Sequence, residues 1–309
     1  MSHPNGTRID LAHGAYRASI ASVGSTLRAL EFDGHPLVTT FAVDELRPLY
    51  RGALLAPWPN RVVDGRYEFG GLERRLPINE HARGHALHGL VDWLDFDVVS
   101  AGSSQARLRG VVTARAGYPF TVAIDTWFAL TEAGLVTTVT ATNISADVAP
   151  YGVAAHPYLV AGTASIDQAW LQVPATQFLE ATGERLLPGQ VRQVAEADDG
   201  VLDFRRSRPI GPTEIDHAYT GLEPAQDGTC TVRLTDSAGA GAFMRWNGQE
   251  LPWLQVHTAD RPEPHWNRRG LAVEPMTCPP DAFNSGIDLI RLEPGASHTV
   301  SWTIGALSA

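Results

Sequence analysis

The sequence contains no lysine: its 24 cationic side chains are all arginine. That absence removes chemistry that starts from a lysine amine, including Schiff-base catalysis and pyridoxal phosphate enzymes. It also removes a Walker-type loop, whose lysine reaches the phosphates. Cysteine is scarce. Cys230 and Cys278 are too few for a disulfide framework in 309 residues, and both read as buried thiols. No apolar run approaches the roughly eighteen residues of a membrane-spanning helix, so no membrane span is expected. Met1 to Asp10 is polar, which predicts no signal peptide and a cytoplasmic location. Positive charge is in deficit. A net charge of −10 sets nucleic acid and anionic membranes aside as partners.

What is present is an ordinary globular inventory, 44% hydrophobic and 19% charged. It can bury a sizeable core without staples. The dominant pattern is period two. Phe120, Val122, Ile124, Thr126, Phe128 and Leu130 alternate with Thr121, Ala123, Asp125, Trp127 and Ala129. Thr131 to Gly134 turns the chain, and β-branched Leu135 to Thr142 returns, which predicts a long hairpin. Asp33-Gly34 and Gly70-Gly71 read as further hairpin turns. Gln168 to Pro188 reads as strand with a turn at Thr182-Gly183. Gln190 to Asp216 reads as loop, with Glu196 to Asp199 and Arg205, Arg206 and Arg208 as solvated charge. Ile287 to Leu292 and Thr299 to Ile304 predict a closing hairpin. With no repeat, linker or low-complexity segment, residues 1–309 read as a single all-β domain of many antiparallel strands.

Four stretches carry candidate chemistry. In Leu271-Ala-Val-Glu274-Pro-Met-Thr-Cys-Pro-Pro-Asp-Ala-Phe-Asn284 an apolar strand delivers one carboxylate to a proline-rich turn. Pro275, Pro279 and Pro280 predict that the chain leaves the sheet there. Glu274 is then either a solvated loop residue or a positioned base. Pro57 and Pro59 stiffen the segment that carries Asn60 and Arg61; Arg61 is either a surface charge or a planar fork for sugar hydroxyls or a carboxylate. His81, His85 and His88 form a cluster with Trp93 as a candidate apolar platform. The cluster lacks the glutamate of a zinc helix, and Gly84 and Gly89 oppose a helix, so ligand hydrogen bonding is preferred to metal. His156 stands before Pro157 at a strand end, as a structural or a catalytic imidazole. Nearby Gly152, Ala154 and Ala155 permit close backbone approach. Leu254 to Thr258 alternates, sending Gln255 and His257 to one side.

Taken together, these residues resemble the aldose 1-epimerase (galactose mutarotase) family. The resemblance runs along the whole chain, through Gly24 to Gly34, Asn60-Arg61, Ala86-Leu-His88-Gly89, His156-Pro-Tyr158, Asp216-His217-Ala-Tyr219, Leu254-Gln255 and Ala272 to Asn284. Pro57-Trp-Pro-Asn-Arg61 and Leu76-Pro-Ile-Asn79 look most like a bacterial sugar-mutarotase branch around sulfoquinovose or unassigned aldoses. The resemblance implies a large antiparallel β-sandwich, a supersandwich with few short helices, holding a monosaccharide in an open cleft. It implies Glu274 as general base and His156 as general acid, with Asn60, Arg61, His88, Asp216 and Gln255 as sugar-binding residues. It implies no cofactor and no metal, and a monomer or homodimer. His85 replaces an asparagine usual in galactose-specific members, and His257 an aromatic residue, so galactose is not the expected sugar.

The acid–base pair requires Glu274 ionised and His156 protonated near neutral pH. Three rivals stand beside this expectation. One is an epimerase of a C6-charged sugar, a hexose 6-phosphate or sulfoquinovose, drawing on Arg51, Arg83 or Arg268. Another is a non-catalytic carbohydrate-binding protein using its eight tryptophans as stacking platforms. The third is a metal-dependent enzyme built on His81, His85 and His88.

Overall fold

The computed structural model describes residues 3–162, 165–197 and 200–309. Asp198 and Asp199, read above as solvated charge, lie outside them. The structure is nearly all β, antiparallel, with one short α-helix, Ala282–Ser285, among the described residues. No described helix is long and apolar enough to cross a membrane.

The long hairpin forms as its alternation predicts. Strands Val122–Thr131 and Gly134–Asn143 pair throughout, from Val122 opposite Asn143 to Thr131 opposite Gly134. They sit inside a nine-stranded sheet, which continues through Ser297–Leu307, Gly241–Asn247 and Thr229–Thr235. An eight-stranded sheet runs Leu187–Gln193, Ala175–Thr182, Asp216–Leu222, Trp253–His257, Leu271–Met276, with Ala154–Ala155, Leu54–Leu55 and Tyr158–Leu159 beyond. A four-stranded sheet is formed by residues 8–36. Within it Asp33 and Gly34 take φ of 50° and 76°, as the tight turn requires.

The two large sheets bury their facing side chains in one contiguous core. Ile124, Leu135, Val139, Val232, Met244 and Ile304 come from the nine-stranded sheet, and Phe178, Tyr219, Leu254, Val256 and Val273 from the eight-stranded one. This is a sandwich, with its inner faces apolar by period two.

Three expectations are corrected. The closing hairpin does not form. Ile290–Leu292 pairs with Ala149–Tyr151, whereas Ser297–Leu307 inserts between Gly134–Asn143 and Gly241–Asn247. The apolar alternation of the last strand suits a central position with two partners, which a terminal hairpin would not supply. The stretch from Gln190 does not begin as loop: the strand Leu187–Gln193 runs through it along the sheet edge, where Pro188 and Gly189 are tolerated.

Pro275 does not end its strand either. Leu271–Met276 continues through it, with Pro275 opposite Leu254. On the far side Val273 N–H donates to Pro157 O and Thr277 N–H to Val153 O. Pro275, midway between them, faces the gap that separates Ala154–Ala155 from Tyr158–Leu159. Its missing N–H therefore falls where the neighbouring ladder is already broken by His156 and Pro157.

Candidate active site

Register alone assembles the floor of the site. Directly opposed residues in antiparallel strands share a face, as do residues i and i+2. Asp216 is opposite His257, and His257 is opposite Ala272. One row along, Ala218 is opposite Gln255, and Gln255 is opposite Glu274. Leu254, Val256 and Val273 point the other way, into the core. The same alternation that builds the sandwich thus sets Asp216, His257, Gln255 and Glu274 side by side on the outer face.

Two loops raise the walls. Asn60 (φ 53°) and His88 (φ 63°) both take left-handed backbone conformations, and His88 N–H donates to Asn60 O at 2.9 Å. Such positions cost about 1–3 kcal/mol each for a non-glycine residue and persist where the surroundings enforce them. Gly89 enforces one. At φ +83° it lies so close to Ala56 that a Cβ would sit 2.1 Å from the Ala56 carbonyl oxygen. Gly152 closes the other side, where a Cβ would sit 2.5 Å from Cys278 Sγ. Leu49 and Tyr50, at φ 51° and 56°, bring the Tyr50 ring to 4.6 Å from His88, edge-on.

The resulting cavity holds about 570 Å³ and is lined by all seven residues expected at the site: Asn60, Arg61, His88, His156, Asp216, Gln255 and Glu274. His156 Nε2 lies 3.3 Å from Glu274 Oε1, and both side chains are almost wholly buried. The His156 ring stacks on Tyr158 at 5.1 Å with an interplanar angle of 22°. Tyr158 hydroxyl donates to Leu49 O at 3.2 Å, which fixes the stack.

Four buried polar atoms on residues that line this cavity have no partner among the described residues: His88 Nδ1, His156 Nδ1, Gln255 Oε1 and Glu274 Oε2. Unpaired buried polar groups are costly, and such groups gather where function rather than stability sets the arrangement.

Burial dictates the charge state of the central pair. It pushes the Glu274 carboxyl well above the usual carboxylate range, reinforced by Asp216 and opposed by Arg61. It pulls the His156 imidazole down to about 3, with His257 adding to the effect. The pair therefore favours a protonated Glu274 beside a neutral His156. This corrects the expectation of an ionised glutamate and an imidazolium at rest; both arrangements carry one proton. Asp216 differs. Burial opposes its charge, but His257 and Arg61 outweigh it and hold the carboxyl below its ordinary value.

Glu80 is the important residue that sequence reading missed. Its carboxylate accepts from Arg61 Nε at 2.8 Å and Arg61 Nη2 at 3.0 Å, and from Arg83 Nη1 at 3.0 Å. This is a bidentate clamp that aims the Arg61 fork along the wall. The only signal was an acidic residue three positions before Arg83 on an irregular segment. Replacing Glu80 with Ala is expected to lower stability by about 3–5 kcal/mol, because it leaves a half-buried guanidinium pair uncompensated; Glu80→Gln should cost less. Urea unfolding of the two variants checks this.

The histidine cluster does not converge. His81 is exposed. His85 is fully buried outside the cavity lining, accepting from Asp64 N–H at Nδ1 (3.3 Å) and facing Arg185 O at Nε2 (2.9 Å). Only His88 reaches the cavity. Among the described residues no group of three His, Cys, Asp or Glu could hold a metal ion. Trp93 lies outside the cavity too, half exposed, with the Arg47 guanidinium 4.5 Å from its ring.

The model of the family described as Aldose 1-epimerase matches residues 7–305. The chain belongs to the aldose 1-epimerase family. It is 36% identical over 303 residues to YihR of Escherichia coli K12, an uncharacterized protein, covering 98% of this chain and 94% of that one. A second uncharacterized protein of the same strain, YphB, is 26% identical over 94% of this chain and 95% of its own length. Among solved structures, an aldose epimerase homologue from C. elegans superposes with TM-score 0.84 at 18% identity, covering 98% of this chain and 99% of that one. A galactose 1-epimerase from Lactobacillus acidophilus gives 0.79 at 21% identity, covering 97% and 94%. The fold is therefore galactose mutarotase-like.

Proposed function

We propose that the chain interconverts the α and β anomers of an aldose by acid–base ring opening, with Glu274 as base and His156 as acid. Glu274 takes the proton of the C1 hydroxyl. The electron pair left on that oxygen forms the C1 carbonyl, the bond from C1 to the ring oxygen breaks, and His156 protonates the ring oxygen. Rotation about C1–C2 turns the other face of the aldehyde to the C5 hydroxyl, and closure runs both transfers backward. Arg61, His88, Asp216, Gln255 and Asn60 hold the hydroxyls and keep C1 between acid and base.

The observation that carries this reading is the pair itself: an imidazole and a carboxylic acid 3.3 Å apart on the wall of a cavity. A cavity built only to bind sugar needs no such pair. The platforms of a binding module are also lacking, since no tryptophan lines it and its aromatic rings are Tyr50 and Tyr158 beside the histidines.

A second reading, an aldose carrying an anionic group at C6, draws on one further observation. Arg83 is engaged by Glu80, Arg268 by Asp167 and Asp260, and Arg51 lies 5.9 Å from the Tyr158 ring, outside the cavity. Arg261 lines the cavity and is exposed, and its guanidinium has no hydrogen bond or ion pair among the described residues. Anomer exchange followed by NMR across D-glucose, D-galactose and their 6-phosphorylated and 6-sulfonated forms tests both readings. Faster exchange of the charged sugars, lost in Arg261→Ala, favours the second. No exchange with any aldose, although sugar binds, leaves a binding protein.

A further inference from the structure

His257 stands in the floor row between Asp216 and Ala272 and lines the cavity, partly exposed to it. Its Nδ1 faces two acceptors, Ile215 O at 3.3 Å and Asp216 Oδ1 at 3.7 Å. A ring nitrogen between a carbonyl and a carboxylate carries the proton, which leaves Nε2 as a bare lone pair turned to the cavity. Burial, joined by Arg261, lowers the imidazole from its ordinary 6.5, against the pull of Asp216, the Ile215 carbonyl and Asp260. The ring is therefore neutral at pH 7.

Its neighbour repeats the pattern. Gln255 Nε2 donates to Asp216 Oδ1 at 2.7 Å, so the amide orientation is fixed by the carboxylate and Oε1 is left unpartnered. Asp216 thus lies against a donor of each of two side chains, Gln255 Nε2 and His257 Nδ1. Arg61, across the same cavity, has Nε and Nη2 committed to Glu80 and Nη1 within 3.4 Å of Asn60 Oδ1.

We propose that His257 is a specificity-determining residue that accepts a hydrogen bond from one sugar hydroxyl through Nε2, and so selects an aldose that carries a hydroxyl donor at that position. The proposal rests on the mutarotase reading of this cavity and names what it recognises. The floor takes a neutral, hydroxyl-rich face of the sugar; an anionic substituent is excluded from the floor and confined to the Arg261 side. A site built to bond a hydroxyl discriminates strongly against the analogue that lacks it, because its own acceptor is then left unpaired.

The test measures kcat/KM by NMR anomer exchange for D-glucose, D-galactose and the 2-, 3-, 4- and 6-deoxy derivatives of D-glucose, with wild type, His257→Phe and His257→Gln. In wild type, deoxygenation at the contacted position is expected to lower kcat/KM by about 10–100-fold. In His257→Phe the parent sugar falls to that level, while the same deoxy sugar falls little further. His257→Gln, whose Oε1 can take the place of Nε2, recovers part of the loss. Equal losses for the parent and every deoxy sugar in His257→Phe, or no loss at all, would overturn the proposal. If wild type exchanges no aldose, yet D-glucose binding is lost in His257→Phe and kept in His257→Gln, the mutarotase reading fails and this one stands. No binding of any of these sugars overturns both.

Discussion

Replacing Glu274 with Gln is expected to lower kcat for anomer exchange by roughly 10²–10⁴, the usual worth of a positioned general base. KM should change little, because the amide keeps the shape of the side chain and an oxygen for the sugar. Stability is expected to move the other way. Glu274 has a folded pKa raised above its ordinary 4.5, mainly by burial. Between those two values the folded chain binds more protons than the unfolded one, so stability falls as pH rises through that window. Glutamine does not titrate and escapes this loss. The variant should therefore melt near wild type at pH 4 and above it at pH 7. Scanning calorimetry at the two pH values, beside polarimetry of a freshly dissolved anomer, reads both effects. Near-normal turnover in Glu274→Gln would remove the base. Lost turnover with a collapsed melting temperature would show a carboxyl needed by the fold instead.

This opposition between activity and stability explains why part of the site was legible in the sequence and part was not. Period two fixed which side of each strand faces the core, so once Leu254, Val256 and Val273 are assigned inward, Gln255, His257 and Glu274 must face outward. The sandwich and the floor are thus one pattern read from its two sides. Asn60 and His88 stood out through the prolines and glycine that hold them. Pro275 misled, because whether a proline can stay in a strand depends on what the next strand offers at that height. Here the next strand is interrupted by His156, the residue that the strand break delivers to the cavity. Glu80 could not be found, because its role depends on Arg61 nineteen positions away, brought within reach only by the pairing of Arg61–Val62 with Ala86–Leu87.

The charge states were the least legible, because burial is a property of the assembled walls. Ring opening takes Glu274 from carboxylate to acid and His156 from imidazolium to neutral base; ring closure returns them. The cycle therefore alternates between two arrangements of one proton on a single pair, and burial favours the neutral one, which coexists with the open-chain aldehyde. From the neutral arrangement a proton must cross from Glu274 Oε1 to His156 Nε2 before a cyclic sugar can react, and the 3.3 Å separation provides the route.

The pH profile follows. Adding a second proton to the pair requires a buried imidazolium, which burial resists down to about 3 instead of the ordinary 6.5. The rate kcat/KM is expected to stay flat as pH falls from 7 to about 5, through the region where an independent imidazole would take up its proton and activity would rise. On the alkaline side it should fall when the shared proton leaves, at a pH above the ordinary carboxylate range. His156→Asn should lower kcat by roughly 10²–10⁴ with KM within a few-fold, since asparagine can hold a hydrogen bond but cannot deliver a proton. A fall in rate above pH 6.5 in the wild type would mean that His156 titrates alone and that the pair is not a unit. A His156→Asn variant that binds no sugar, with kcat/KM lost entirely through KM, would assign the ring to the stack on Tyr158 and not to proton transfer.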